Sequence, residues 1–309
     1  MTSLGRGIFV PVPTFFKENE DLDLVALDKH IQYLANTGIA GIVVLGSMGE
    51  AVNLSEEERG LVIAQAYQSI KEHNAKLKLI AGTSAQSART TIAYTKQAAQ
   101  RGAQFTLILP PSFYRGVMDE EAILNFFRTV ANNSPLPVII YNYPGVCQGL
   151  DLSVKVLVQL SKHHNIIGVK GTDGNVGKMA NLVRKTNPKE VTLLAGSADF
   201  FLSELVIGVV GLIPGAGNVF PGLCVQLQSL YEQGHVKEAS ELQHKLVEAD
   251  DALCRWFGVA GTKSYIQSKL GYGGGICRNP LGLTSKENVA SIEAVVDEVW
   301  KLEQTLHLK

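Results

Sequence analysis

Apolar positions along the chain fall into two alternating textures. Short runs rich in β-branched residues occur at Ile8–Val12, Gly41–Leu45, Leu77–Ala81, Phe105–Leu109, Val138–Tyr141, Ile166–Lys170, Val191–Ala195 and Val209–Ile213. Most are continuous rather than alternating, the pattern of parallel strands buried on both faces. Longer amphipathic stretches lie between them. Leu24–Asn36 places Leu24, Leu27, Ile31 and Leu34 on one face, and Ser55–Glu58 reads as a capping box opening a helix that runs to Ile70. Ser87–Arg101, Glu120–Ala131, Ser153–His163, Val176–Lys185 and Phe200–Ile207 follow. These connections are long enough for right-handed parallel crossovers.

Eight strands with intervening helices predict a closed (β/α)8 TIM barrel. The rival, a doubly wound open sheet, announces itself by a glycine-rich turn after its first strand. Here Ile8–Val12 runs into Pro13, Thr14, Phe15 and Phe16. After Pro221 the pattern is purely helical, with Leu223–Gln233, His235–Ala249, Asp251–Leu270 and Ser285–Leu306 as helices, Thr284–Glu287 as a second capping box, and glycine-rich Gly271–Leu283 as a loop. One helix closes the eighth β/α unit. The reading is therefore a barrel over 1–222, then a closing helix and helical extension over 223–309, with no linker composition to separate them. The surplus helices would pack on the barrel or against a partner subunit.

Composition adds limits. The 309 residues suit one barrel, and the 18% charged fraction, with 46% apolar residues, fits a large core or a subunit interface. The net charge of -1 and the absence of a basic stripe argue against nucleic-acid binding. No apolar run reaches spanning length, so no membrane association is expected. The stretch MTSLGRGIFVPVP is broken by prolines and resembles neither a secretory nor a long Arg-rich leader. Cys147, Cys224, Cys254 and Cys277 form no CxxC pair, which suits a reducing compartment. A cytoplasmic protein is expected, with a trimmed organelle form as the alternative. The seven histidines are scattered and no carboxylate cluster is apparent, so no metal is expected.

In a barrel, chemistry sits where strands enter their βα loops. Four segments qualify: Gly46–Glu50, Leu109–Gly116, Tyr141–Gly145 and Ile166–Gly174. Lys170 ends an apolar strand. It reads either as a lysine snorkelling to solvent or as a buried amine made nucleophilic by desolvation. Tyr141, also at a strand end, is either an aromatic lid on the barrel or a proton shuttle. Gly46 and Gly49 allow backbone amides to approach an anion, with Ser47 adding a hydroxyl. Glu50 is either catalytic or a brace for that turn, and Asn142 and Pro144 shape theirs. Tyr114 and Arg115 reach a substrate, a neighbouring subunit or only solvent. Ser197, Asp199 and Asn218 either bind substrate hydroxyls or cap local structure.

Taken together, these segments resemble the pyruvate-dependent class I aldolase superfamily of dihydrodipicolinate synthase and N-acetylneuraminate lyase. Its G-x-x-G-E element matches Gly46, Gly49 and Glu50, its Y-N-x-P element Tyr141, Asn142 and Pro144, and its G-x-K element Gly168 and Lys170. The resemblance runs from Gly7 into the C-terminal helices. It implies that Lys170 forms a Schiff base with a 2-oxo acid and that Tyr141 is the general acid/base. Ser47 would relay protons, and the amides of Ser47 and Met48 would hold the pyruvate carboxylate. It also implies no cofactor, a homo-oligomer (dimer or tetramer), and Tyr114, with Phe113 as rival, crossing a dimer interface.

One departure bears on substrate. Dihydrodipicolinate synthases usually carry an arginine two residues after the proline of Y-N-x-P, and here that position is Val146. An apolar side chain cannot replace a bidentate carboxylate clamp. Met48 likewise stands where the synthases usually have a second hydroxyl residue. The Gly46–Ser47 start and Ser112–Gly116 loop are closer to 4-hydroxy-2-oxoglutarate aldolase and fungal 2-keto-3-deoxy-sugar-acid aldolases. The expected reaction is reversible cleavage of a 2-keto-3-deoxy acid to pyruvate and an aldehyde, with 2-keto-3-deoxy-L-galactonate (yielding L-glyceraldehyde) ahead of 4-hydroxy-2-oxoglutarate and then dihydrodipicolinate synthesis. A non-catalytic barrel that binds a 2-oxo acid is the reading from a different class.

Overall fold

The computed structural model describes residues 4–307 except Asn74, so Met1–Ser3 of the N-terminal stretch lie outside the described residues. Eight parallel strands close in sequence order: β1 (Gly7–Pro11), β2 (Gly41–Val44), β3 (Lys78–Gly82), β4 (Phe105–Ile108), β5 (Val138–Asn142), β6 (Ile166–Gly171), β7 (Thr192–Ala195) and β8 (Gly211–Leu212), with β8 pairing back onto β1. The last strand is shorter than Val209–Ile213. Its flanks still hold the ladder, since the Val210 and Ile213 amides donate to the Leu193 and Ala195 carbonyls at 3.2 and 2.8 Å.

The continuous apolar runs arise because each strand serves two cores. Phe9, Val43, Ile80, Leu107, Ile139 and Leu194 fill the barrel interior. Their neighbours Val10, Val44, Ala81, Ile108, Ile140 and Ala195 face the helices. The crossover helices are α1 (Leu24–Ala35), α2 (Glu56–Glu72), α3 (Ala88–Gln100), α4 (Glu120–Asn133), α5 (Val154–Leu160), α6 (Val176–Lys185) and α7 (Phe201–Val206), and α8 (Pro221–Glu232) closes the barrel. Side chains of Asp23, Ser55, Ser87, Asp119, Ser153 and Asn175 cap the first six, satisfying amides that a helix start leaves unpaired. Helix α5 stops three residues before His163, whose ring instead accepts from the Asn165 amide at 3.1 Å and so belongs to the turn.

Two boundaries in the extension differ from the sequence reading. Asp251–Leu270 is not one helix. Helix α9 (Val236–Asp251) runs on into a π turn at Ala252–Trp256, and α10 (Gly258–Leu270) starts after it. The break falls where Phe257 leaves helical geometry and Gly258 adopts φ +56°. Helix α11 (Lys286–His307) is capped by Ser285, whose Oγ accepts from Asn288 N at 3.2 Å, one residue beyond the expected Thr284. Among the described residues no helix is long and apolar enough to cross a membrane.

The extension is locked to the barrel by buried charge. Glu303 of α11 accepts from the Gly222 and Leu223 amides at 2.9 and 2.8 Å, capping α8 from outside. Lys263 of α10 meets Glu50 of the loop after β2 at 2.7 Å, with both side chains fully buried. The other Glu50 oxygen accepts from Arg278 N at 3.0 Å and Asn53 Nδ2 at 3.3 Å. Removing one partner of a buried pair leaves the other charge uncompensated, at a cost of about 3–5 kcal/mol. Lys263→Ala is therefore expected to lose stability of that order in urea titrations. A loss below about 1 kcal/mol would show that the pair does not anchor the extension.

Candidate active site

The residues that resemble a Schiff-base site converge at the C-terminal mouth of the barrel. Tyr141 and Lys170 are register partners on the adjacent strands β5 and β6, so both side chains project the same way. Lys170 is 3% exposed, and its Nζ lies 4.1 Å from the centre of the Tyr141 ring. Lys170 is not in the group of buried lysines that own a carboxylate partner, of which Lys263 is the example. Burial pushes its amine down to about 7, because desolvation penalises the charged form. Burial pushes the Tyr141 phenol up to about 12, with the hydroxyls of Ser47 and Thr172 pulling partly back. Ser47 Oγ sits 3.5 Å from the phenol oxygen, and Tyr143 stacks on the Tyr141 ring at 5.7 Å.

The loop after β2 is built to present backbone. Leu45 takes φ +58° and Glu50 φ +48°, left-handed conformations that cost an L residue about 1–3 kcal/mol and gather at ligand sites. The Gly49 and Glu50 amides close the turn onto the Gly46 and Ser47 carbonyls at 3.1 and 3.2 Å. The Ser47 and Met48 amides, which precede them, are not spent on that turn. Thr14 Oγ1 donates to Gly49 O at 2.7 Å, and buried Arg59 of α2 donates to Ala51 O at 2.8 Å and Gly82 O at 2.7 Å. Glu50 acts here as a brace, its carboxylate occupied by Lys263, Arg278 and Asn53.

A cavity of about 90 Å³ is lined by Ser47, Met48, Tyr141, Lys170 and Ser197, and also by Pro11, Tyr143, Thr172, Gly196, Gly215, Cys254 and Arg255. A more apolar cavity of about 230 Å³ adjoins it through Ser47 and Tyr141, and is bordered by Gly46, Val52, Leu109 and Val146. Cys254 and Arg255 come from the π turn after α9 and were missed in the sequence, where the segment reads as an outer helix. The Asp251–Arg255 spacing of four residues suggests only a surface ion pair. That pair exists at 3.1 Å, but Arg255 Nη2 also reaches Asp199 at 2.8 Å. A π turn at a functional site is a recurrent device.

The remaining sequence-derived positions are placed as follows. Asn218, expected to touch substrate, is fully buried outside the cavity lining. Its amide donates to Pro11 O and Gly215 O at 3.0 and 2.8 Å and its oxygen faces His30 Nε2 at 2.9 Å, so its capacity is structural. Asp199 is taken up by Arg255 rather than lining the cavity. Asn142 Nδ2 donates to Asp151 at 2.8 Å and its oxygen accepts from Leu152 N at 2.9 Å, shaping the loop. Phe113, Tyr114 and Arg115 are exposed and do not line either cavity. Among the described residues no group of three or more His, Cys, Asp or Glu could hold a metal ion.

Known proteins resemble this chain over nearly its whole length. The profile of the Dihydrodipicolinate synthetase family matches residues 5–299. An Emericella nidulans protein named "Probable 4-hydroxy-2-oxoglutarate aldolase, mitochondrial" is 42% identical over 98% of this chain and 97% of its own. The Hypocrea jecorina L-threo-3-deoxy-hexylosonate aldolase is 39% identical over 98% of this chain and 99% of its own. Among solved structures, a dihydrodipicolinate synthase family protein from Coccidioides immitis superposes with TM-score 0.89 at 32% identity, covering 98% of both chains.

The loop after β2 depends on its contact with β3. A Cβ on Gly82 would lie 1.9 Å from the Leu45 carbonyl oxygen, so Gly82→Ala must push the Leu45–Met48 backbone aside. Strain of this kind costs about 1–3 kcal/mol. The variant is expected to lose that much stability in denaturant titrations and to bind a small 2-oxo acid at least about tenfold more weakly by calorimetry. Unchanged affinity would detach the loop from anion binding.

Proposed function

The chain belongs to the Dihydrodipicolinate synthetase family, and from that premise we propose that it cleaves a 2-keto-3-deoxy sugar acid reversibly into pyruvate and an aldehyde through a Schiff base on Lys170. It is an enzyme, a carbon–carbon lyase of the class I aldolase type. The observation that carries the reading is the buried Lys170 amine, brought down to about 7 and set 4.1 Å from the Tyr141 ring.

The chemistry follows from those groups. The neutral Lys170 amine attacks the C2 ketone, and Tyr141 gives its proton to the departing oxygen as water leaves. The iminium is the electron sink, so no cofactor is needed. The Tyr141 phenolate takes the C4 hydroxyl proton, the C3–C4 bond breaks, and its electrons pass to C3 as an enamine while the aldehyde departs. C3 is then protonated and water releases pyruvate from Lys170. Ser47, beside the phenol, relays the proton, and the Ser47 and Met48 amides hold the C1 carboxylate. The substrate we favour is 2-keto-3-deoxy-L-galactonate, in line with the name of the Hypocrea jecorina relative. The Emericella nidulans relative supports 4-hydroxy-2-oxoglutarate as the second reading. Dihydrodipicolinate synthesis is disfavoured by Val146, which borders the apolar cavity where an arginine clamp would be wanted. Assembly into a homo-oligomer, with exposed Tyr114 or Phe113 reaching a neighbouring site, belongs to the same proposal, as does a cytoplasmic location.

Sodium borohydride added with pyruvate should fix a covalent adduct, read by intact mass and absent in Lys170→Ala. An unmodified, folded wild type would sink the Schiff-base reading. The attacking form is the free base, so the trapping rate should fall about tenfold per pH unit below about 7 and level off above it. Tyr141→Phe should retain the fold and slow turnover by roughly a hundredfold, a usual value for a general acid–base group.

A further inference from the structure

The part of the cavity wall around Ser197 carries a polarity that bears on which substrate tail the site accepts. Ser197 follows β7 and lines the cavity, 6% exposed. Its Oγ is 2.6 Å from Asp250 Oδ2. Asp250 is fully buried on α9, and although burial pushes its carboxyl up to about 6 it is ionised at neutral pH. An ionised carboxylate only accepts hydrogen bonds, so the single Ser197 hydroxyl proton is committed to Asp250. Arg255 Nη2 donates to Ser197 Oγ at 3.3 Å. What Ser197 retains for a ligand is one acceptor lone pair and no donor.

Charge on this wall points the same way. Arg255 lines the cavity beside Ser197, and it is already shared between Asp199 at 2.8 Å and Asp251 at 3.1 Å. With Asp250 behind Ser197, three carboxylates face one guanidinium. The nearby Lys178 is divided between Asp151 and Asp173. A second carboxylate on the substrate could neither donate to Ser197 nor find an uncommitted cation.

We propose that Ser197, oriented by Asp250 and Arg255 of the C-terminal extension, is the specificity residue of this site: it accepts a hydrogen bond from a hydroxyl on C5, one carbon past the cleaved C3–C4 bond, and disfavours a carboxylate at that position. The proposal rests on the aldolase reading above and sharpens it. The two candidate substrates share the 2-oxo acid head and the C4 hydroxyl. They part at C5, where one carries a hydroxylated chain and the other a carboxylate. The barrel strands supply the lysine and tyrosine chemistry common to both, and Asp250 is a positioning residue that acts through Ser197.

The test is pyruvate release from L-threo-3-deoxy-hexylosonate and from 4-hydroxy-2-oxoglutarate, each read as kcat/KM at pH 7.5. Wild type is expected to favour the hydroxylated substrate. Ser197→Ala should narrow that preference about tenfold to hundredfold, mostly through KM, the size of one hydrogen bond in a partly charged network. Ser197→Thr, which keeps the hydroxyl, should recover most of it. Borohydride trapping with pyruvate, which lacks C5, reports separately on fold and Schiff base. A wild type that traps pyruvate yet prefers the carboxylate-tailed substrate overturns the specificity assignment and leaves the aldolase reading standing. So does a Ser197→Ala protein that traps pyruvate normally but loses both substrates equally. A wild type that forms no adduct overturns both. Should Ser197→Ala fail to fold, Ser197→Cys, whose thiol is a weak acceptor of similar size, is read in its place, and an unchanged preference in it overturns the assignment.

Discussion

The ion pair between Glu50 and Lys263 holds the two halves of this molecule in register. It joins the loop after β2 to a helix more than two hundred residues later, with both side chains fully buried and 2.7 Å apart. Desolvation makes such a pair a poor source of net stability, but breaking it is costly, so it functions as a constraint on arrangement. Glu50 sits at φ +48° at the end of the turn after β2, and its second oxygen holds the Arg278 amide. Arg278 in turn donates to Glu58, at the start of α2, and to Asn53 O at 2.8 Å. The strained turn is thus clamped from the extension side, while Thr14 and Arg59 clamp it from the barrel side.

Two buried lysines in one chain show how a partner sets a role. Lys263 lies in a buried setting that lowers its pKa, yet Glu50 stands against it and also attracts the charged form. Lys170 is as deeply buried and faces an aromatic ring and the Cys254 thiol instead. Its ammonium has no comparable compensation, and about 7 is where its proton is lost. A lysine in the first setting is a strut. In the second it is an amine that gives up its proton near neutral pH, as the proposed attack on a carbonyl requires. Register makes this possible, because Tyr141 and Lys170 are Cα partners and face the barrel axis from adjacent strands.

The barrel was legible because its causes are local. Unbroken apolar runs follow from strands serving both an inner and an outer core, and the Ser55–Glu58 capping box appears as read. The Lys170–Tyr141–Ser47 cluster could be found from strand ends, since the fold fixes which end faces the mouth. The π turn could not. An α pattern continues through Ala252–Trp256, and the extra residue per turn is set by docking, with Thr262 Oγ1 donating to Leu253 O at 2.6 Å across the break. Asn218 misled for a related reason. It stands among cavity-lining neighbours, but His30, Pro11 and Gly215 absorb its amide, and long-range pairing of that kind leaves no periodicity to read.

The proposed reaction and the proposed recognition are divided between parts of the chain with different physical demands. The amine and phenol must keep a fixed separation in a dry interior, and a closed sheet supplies that at low cost because each strand is held by two neighbours. Selecting a tail requires polar groups of chosen direction at the mouth, where loops from several strands meet. Here those groups are oriented by Asp250 and Arg255, which belong to the appended helices rather than to the barrel. The hydrogen bond from Ser197 to Asp250 decides which way the Ser197 hydroxyl proton points. The position of Asp250 depends on where α9 lies, and α9 is packed against α11, whose Glu303 is fastened to α8. A change in helix docking far from Lys170 would rotate the Ser197 acceptor while leaving the Lys170–Tyr141 pair in place, so the proposed tail preference and the proposed Schiff-base chemistry would respond separately.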